Sequence, residues 1–150
     1  MIELTIPGEP VGKQRAKVFP IKTKSGFIVR RGVTPEKTVN FEALIKQIFA
    51  STYPGFIPLE GSLVLLIEAF LTIASSKSEK KKAAMAIGEI IPTKKPDVDN
   101  LLKTVADALQ GVAYLNDSQI ADAQIKKRFS RTPSMKIKLE KITQSEGELF

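Results

Sequence analysis

The stretch LVLLIEAFLTI, Leu63 to Ile73, decides how the rest of the chain is read. It is apolar throughout except for Glu68 and Thr72 and shows no alternation, which predicts a central strand buried on both faces of a sheet. Glu68 is an acid within that strand, costly there unless paired or metal-bound, or else a mark of the strand's end. Even extended to Ala74 the run is too short to cross a bilayer, which takes roughly 20 apolar residues.

Working outward from this strand, the flanking segments change type irregularly. On the N-terminal side, residues 2 to 6 read as a strand that Pro7 and Gly8 end. A hairpin follows, with Val18 and Phe19 facing Phe27, Ile28 and Val29 across a polar turn at residues 22 to 26. Thr34 is the expected N-cap of a helix with Pro35 at its first position. Phe41, Leu44, Ile45, Ile48 and Phe49 repeat at helical spacing until residues 53 to 55, YPG. On the C-terminal side, residues 77 to 88 read as a short basic helix stopped at Gly88, and residues 92 to 96 as a basic linker. A third helix is expected from Asp99 to Gln110, closed by Gly111. Strands at 120–129 and 135–142 complete the pattern. Helices and strands that interleave irregularly with a hairpin indicate an α+β fold: one domain with a mixed sheet, a basic N-terminal hairpin and two or three helices, over residues 1–143. Residues 144–150 read as a polar, flexible tail.

The chain has 150 residues and a net charge of +7, from 23 Lys and Arg against 16 Asp and Glu. The surplus is localised. Between Pro10 and Pro35 stand Lys13, Arg15, Lys17, Lys22, Lys24, Arg30 and Arg31 with no acid among them, and the remaining charges balance. A segment of that kind suits a polyanion, with phosphate contacts as its first use. Lys94 and Lys95 extend the same expectation. Lys80 to Lys82 serve equally as a polar helix face. The chain contains no His and no Cys. That excludes disulfides, thiolate zinc sites and imidazole bases, and leaves carboxylates, Lys, Tyr, Ser or a hard metal to carry any chemistry. The N-terminus has no charged leader followed by an apolar segment, so a soluble cytoplasmic protein is expected.

The sequence KKPDVDNLLKTVADAL, residues 94–109, concentrates the acids. At about 100° per residue, Asp99, Lys103 and Asp107 share a stripe about 80° wide, opposite Leu101, Leu102, Val105, Ala108 and Leu109. Asp97 precedes Asp99 by two, so both face the helix start from an extended lead-in. One acid here is explained by capping and by Lys103 as the i, i+4 partner of Asp99. A second acid and the mid-helix Asp107 are not. Repeated carboxylates on one surface suit Mg²⁺, with Mn²⁺ as its substitute, which takes oxygen ligands and shares its shell with phosphates and water. Asp117, in the turn NDSQ at 116–119, is positioned to return beside the helix start.

These residues resemble the RusA family of Holliday-junction resolvases, small metal-dependent endonucleases of prophages and bacteria. The resemblance rests on KPDVDNL at 95–101, Lys103, DAL at 107–109 and DSQI at 117–120, together with PVGKQRAK at 10–17. It runs from about residue 4 to residue 140. By position it implies Asp97, Asp99 and Asp117 as catalytic carboxylates and metal ligands, Lys103 as an essential lysine, and Asp107 as metal support. Many members carry two acids where this chain has Asn116 and Asp117, and a proline where it has Ala16. The resemblance further implies a homodimer that makes paired symmetric nicks in four-way DNA, in recombination and repair. Two other functions remain open on the residues alone: a nuclease for flaps, forks or ordinary duplex, and a non-catalytic nucleic-acid-binding module. The ending QSEGELF, Gln144 to Phe150, is similar to short peptides that dock on a bacterial sliding clamp.

Overall fold

The fold is built on a four-stranded mixed sheet, seen in a computed structural model that describes residues 1–143, the side chain of Arg31 aside. The elements in chain order are β1 (Ile2–Pro7), β2 (Lys17–Lys22), β3 (Ile28–Val33), α1 (Glu36–Thr52), β4 (Leu63–Thr72), α2 (Glu79–Ala86), α3 (Val98–Leu109), a 3₁₀ turn at Asp117–Gln119, β5 (Ile120–Ser130) and β6 (Ser134–Lys141). The sheet order is β1-β6-β4-β5, and β2 pairs only with β3 in a separate ribbon. β6 runs antiparallel to both β1 and β4, whereas β4 and β5 are parallel. This is the expected α+β class. The parallel pair arises because α2 and α3 lie between β4 and β5 in sequence, a crossover long enough to return the chain to the same end of the sheet.

The LVLLIEAFLTI strand is central in the sheet, but it is not buried on both faces. Its residues alternate, with Leu63, Leu65, Ile67, Ala69 and Leu71 buried and Val64, Leu66 and Phe70 only half-buried. The cause is that α1 and α3 cover a single face. Against that face pack Phe41, Ile45 and Phe49 of α1 and Leu101, Val105, Ala108 and Leu109 of α3, meeting Ile2, Leu4 and Ile6 of β1 and Met135, Ile137 and Leu139 of β6. Each such fully buried aliphatic side chain contributes roughly 1.5–3 kcal/mol. The open face tolerates Glu68, which is exposed and stands in register between Lys126 and Lys136. Glu68 therefore lies on the sheet surface turned away from the acidic helix.

α1 begins one residue later than the sequence predicts. Pro35 is the N-cap, with extended backbone at φ −55° and ψ 140°, and its carbonyl accepts from the Thr38 and Val39 N–H groups at 3.1 and 3.2 Å. α2 lies within the predicted 77–88 but is two residues shorter at each end: the Ser78 hydroxyl accepts from the Lys81 N–H, and Gly88 turns the chain at φ +86°. α3 ends where Gly111, at φ +85°, donates to the Tyr114 carbonyl at 2.7 Å. Among the described residues no helix is long and apolar enough to cross a membrane.

Tyr114 is wholly buried beneath α3 and its hydroxyl donates to the Ala106 carbonyl at 2.6 Å. Burial, then the negative charges of Asp117 and Asp107, push its phenol well above the ordinary tyrosine value. A folded-state value raised above the unfolded one, about 10, means stability that is complete below pH 10 and lost as pH climbs toward the folded value. In a Tyr53→Phe variant, where Tyr114 is the one tyrosine left, phenolate absorbance at 295 nm is expected to rise only together with loss of helical circular dichroism. A rise in still-folded protein near pH 10 would contradict this.

Candidate active site

The start of α3 is held in place from two sides. Asp97 is its N-cap, extended at φ −76° and ψ 151°, and its carbonyl accepts from the Leu101 N–H at 3.0 Å. Its side chain makes no capping hydrogen bond. The capping explanation for this acid therefore does not apply, and the carboxylate is left for another use. From β5, Lys127 reaches across and donates to the carbonyls of Lys94 at 2.8 Å and Pro96 at 3.0 Å, fixing the linker just before Asp97. From the N-terminal loop, the Lys13 N–H donates to the Asn100 carbonyl at 2.9 Å.

Gly12 permits that approach. A Cβ built on it would stand 3.0 Å from the Pro96 Cβ and 3.1 Å from the Asn100 Cβ. Gly12→Ala is expected to push the loop and the helix start apart by a few tenths of an ångström, costing about 1–3 kcal/mol of stability. Thermal melting checks this, and a wild-type melting temperature would show that the contact is not limiting.

Lys13, Lys103, Asp107, Asp117 and Glu42 form a single charge network. The Lys13 ammonium contacts Glu42 at 2.7 Å and Asp107 Oδ2 at 3.1 Å. Lys103 contacts Asp107 Oδ1 at 3.2 Å and Asp117 Oδ2 at 3.8 Å. Burial opposes the Lys13 charge, but the hydrogen bonds to Glu42 and Asp107 outweigh it and hold this lysine above its ordinary range. Each Asp107 oxygen thus has an ammonium against it. The expected Asp99–Lys103 pair is not formed, because Lys103 turns toward the C-terminal end of α3; among the described residues Asp97 and Asp99 enter no ion pair.

Asp117 is delivered by a short reciprocal cap. The Asn116 side chain accepts from the Ser118 N–H at 2.9 Å, and the Gln119 Oε1 accepts from the Asn116 and Leu115 N–H groups, both at 3.1 Å. The Gln119 amide in turn donates to the carbonyls of Leu59 and Gly61, tying the turn to the loop before β4. The Asp117 N–H donates to the Gln110 side chain at 3.0 Å. These bonds explain why a glutamine belongs two residues after the acid.

Two adjoining clefts flank the start of α3. The larger, about 780 Å³, runs between the N-terminal loop and the helix, with Lys13, Arg15, Lys37, Lys95, Asp97 and Asp99 on its walls. The smaller, about 300 Å³, lies between α3 and β5 and is lined by Asp99, Lys103, Asp117 and Asp122 among others. Asp99 belongs to both. Asp97 and Asp99 thus share the larger cleft and Asp99 and Asp117 the smaller, but among the described residues no three acids stand close enough to enclose one ion. By donor chemistry the residues fit a hard divalent cation: the groups on offer are carboxylate oxygens, and those of Asp97 and Asp99 are not consumed by a cap or an ion pair among the described residues.

Of the basic residues singled out in the sequence, Arg15 and Lys95 line the larger cleft, Lys13 is tied into the network beneath it, and Lys17, Lys22, Lys24 and Arg30 are exposed on the β2–β3 ribbon. Lys94 lines a third cleft, beside α2, with Lys77 and Lys81. The Arg31 side chain and the tail at 144–150 lie outside the described residues. Sequence reasoning missed Lys127, Glu42, Asp122 and Lys37. The first two act on partners far away in sequence, and Asp122 looks like any polar residue of an alternating strand.

Residues 7–140 match the family described as Endodeoxyribonuclease RusA. The chain belongs to the RusA endodeoxyribonuclease family. The matched region takes in β4, β5, nearly all of β6, the ribbon, α3 and the Asp117 turn, so every charged group of the network lies within it, while β1 except for Pro7 precedes it. A relative, the uncharacterized protein YqaN of Bacillus subtilis (strain 168), is 29% identical over 144 residues, covering 95% of this chain and 97% of that protein.

Proposed function

We propose that this RusA-family endodeoxyribonuclease resolves four-way DNA junctions with Mg²⁺, or Mn²⁺ in its place, taken up at the Asp97 and Asp99 carboxylates, with Asp117 drawn in from the smaller cleft as the third ligand once the ion is bound. The observation that carries the reading is the uncommitted carboxylate pair at the start of α3, set between a cleft lined by Lys13, Arg15, Lys37 and Lys95 and a cleft holding Lys103 and Asp117. A bound divalent ion supplies charge neutralisation to the scissile phosphate and acidity to an attacking water, the task a histidine would otherwise share. The chain's own residues do the rest. Arg15, Lys37 and Lys95 bind the phosphates that flank the scissile bond. Lys103 places its ammonium against the negative charge that grows on the phosphoryl oxygens. Asp107 has both oxygens engaged by Lys13 and Lys103, and we assign it to positioning Lys103 rather than to the ligand set.

Paired symmetric nicks require two such sites, hence a homodimer, which sedimentation on the free protein checks. The enzymatic reading is tested with an end-labelled four-way junction: cleavage is expected with Mg²⁺, lost with EDTA and restored by excess Mg²⁺. A protein that binds the junction but leaves it uncut with either Mg²⁺ or Mn²⁺ would be a non-catalytic binding module.

A further inference from the structure

The β2–β3 ribbon and its tip carry seven of the exposed large apolar side chains among the described residues, and the site described above does not account for them. Every residue of β2 is exposed. The register places Phe19, Ile21, Val29 and Val33 on one face and Val18, Pro20 and Ile28 on the other. None of these is buried: Val18, Phe19, Ile21, Val29 and Val33 retain 42–58% of their surface, and Phe27 and Ile28, at the tip, retain 72% and 73%. A two-stranded ribbon with solvent on both faces is marginal by itself, and exposed apolar patches of this kind mark a surface that meets a partner.

Charge decides which partner. Lys17, Lys22, Lys24 and Arg30 are interleaved with the apolar residues, and no acid occurs anywhere from Pro10 to Pro35. Two copies of the ribbon laid together would set these cations against one another. A polyanion with apolar faces relieves both problems, and DNA whose bases have come out of the stack is such a polyanion. The ribbon is also of a shape that the major groove admits.

The tip is organised for insertion. The Thr23 N–H donates to the Phe27 carbonyl at 2.8 Å, and the Gly26 N–H donates to the Thr23 carbonyl at 2.9 Å. The Thr23 hydroxyl accepts from the Phe27 N–H at 3.2 Å, and Gly26 takes φ +87°, a conformation that suits glycine. These bonds hold Phe27 and Ile28 outward on a closed turn, with Lys22 and Lys24 beside them. Apolar side chains so presented are what proteins wedge between base steps.

We propose that Phe27 and Ile28 pack against unstacked bases at the branch point of the junction, while Lys22, Lys24 and Arg30 hold the flanking phosphates. The inference rests on the junction reading above and adds to it the element that senses the branch. The test uses full-length protein carrying Asp99→Asn, to prevent cutting, and a four-way junction with 2-aminopurine at the branch point. With Phe27 and Ile28 intact, binding is expected to raise 2-aminopurine fluorescence several-fold, as unstacking does. With Phe27→Ser and Ile28→Ser added, the rise is expected to vanish at saturating protein, because both positions are exposed and the fold does not depend on them. A Lys22→Ala, Lys24→Ala variant is expected instead to weaken binding to all DNA and to flatten its salt dependence by about 1 to 2 in log–log slope.

An unchanged fluorescence rise in the Phe27→Ser, Ile28→Ser variant, with junction preference retained, would overturn the inference and leave the junction reading standing. Equal affinity of the parent for junction and duplex would overturn the junction reading first, and the inference with it. Conversion of a dimer to a monomer by Phe27→Ser and Ile28→Ser would make the ribbon a contact between copies of this chain, and would also overturn the inference.

Discussion

Asp99→Asn is expected to slow junction cleavage by about 10³-fold or more while leaving junction binding as tight as before or tighter. Asp99 is the carboxylate common to both clefts, so its charge bears on whatever is bound in either. Replacing it with asparagine keeps the size and one oxygen but removes the negative charge that attracts a divalent ion. Losing several kcal/mol of charge stabilisation at the phosphoryl group corresponds to about 10³ in rate, at about 1.4 kcal/mol per tenfold. The fold has little stake in the change. Asp99 is exposed and enters no ion pair among the described residues, leaving only the helix-dipole interaction, about 0.3–1 kcal/mol. Binding holds or improves because one negative charge facing the DNA is gone. Single-turnover cleavage and band-shift titration separate the two effects; a rate within tenfold of wild type would remove Asp99 from the site.

Lys103→Met is expected to slow cleavage by about 10²–10³-fold, the range seen when one preorganised donor to a developing oxyanion is removed. Methionine preserves the apolar stem and the helix propensity. Asp107 keeps Lys13 as a partner at 3.1 Å, so the network survives the loss. A lysine serving only as a surface ion-pair partner would behave otherwise: stability would fall by about 0.3–0.5 kcal/mol and the rate would hardly move. Lys103→Arg keeps the charge but replaces a compact ammonium with a planar fork, and its expected rate lies between those of wild type and Lys103→Met. Equal rates for Met and Lys at 103 would confine the residue to the ion pair.

The α3 segment was legible in the sequence because a strong 3.6-residue period, an acid-rich start and Gly111 all point to the same helix. The ribbon was legible for a similar local reason, a polar glycine-containing turn between two apolar runs. What local patterns did not reveal was pairing and covering. Val64, Leu66 and Phe70 read as buried because they are apolar, yet no helix lies over them, and the parallel β4–β5 contact joins residues more than fifty positions apart. The same limit applies at the site. Asp97, Asp99, Lys103, Asp107 and Asp117 announce themselves by type and spacing, but the Asp107–Lys13 clamp and the grip of Lys127 on the Lys94 and Pro96 carbonyls depend on which surfaces meet in space.

The surplus of positive charge takes a specific form in the fold. The acid-free segment divides into a loop pinned to the helix start by Gly12 and Lys13 and a free ribbon that projects its lysines and apolar residues together. The loop brings cations to the edge of the carboxylate site, where an acidic surface alone would repel DNA.

Junction resolution is tested most directly by the ratio of initial cleavage rates, in Mg²⁺, for a four-way junction and for linear duplexes containing the same arm sequences. Paired nicks at symmetric positions near the branch point and a preference for the junction of roughly a hundredfold or more are expected. Equal rates on junction and duplex would contradict junction resolution and leave a nuclease of the family without that specificity.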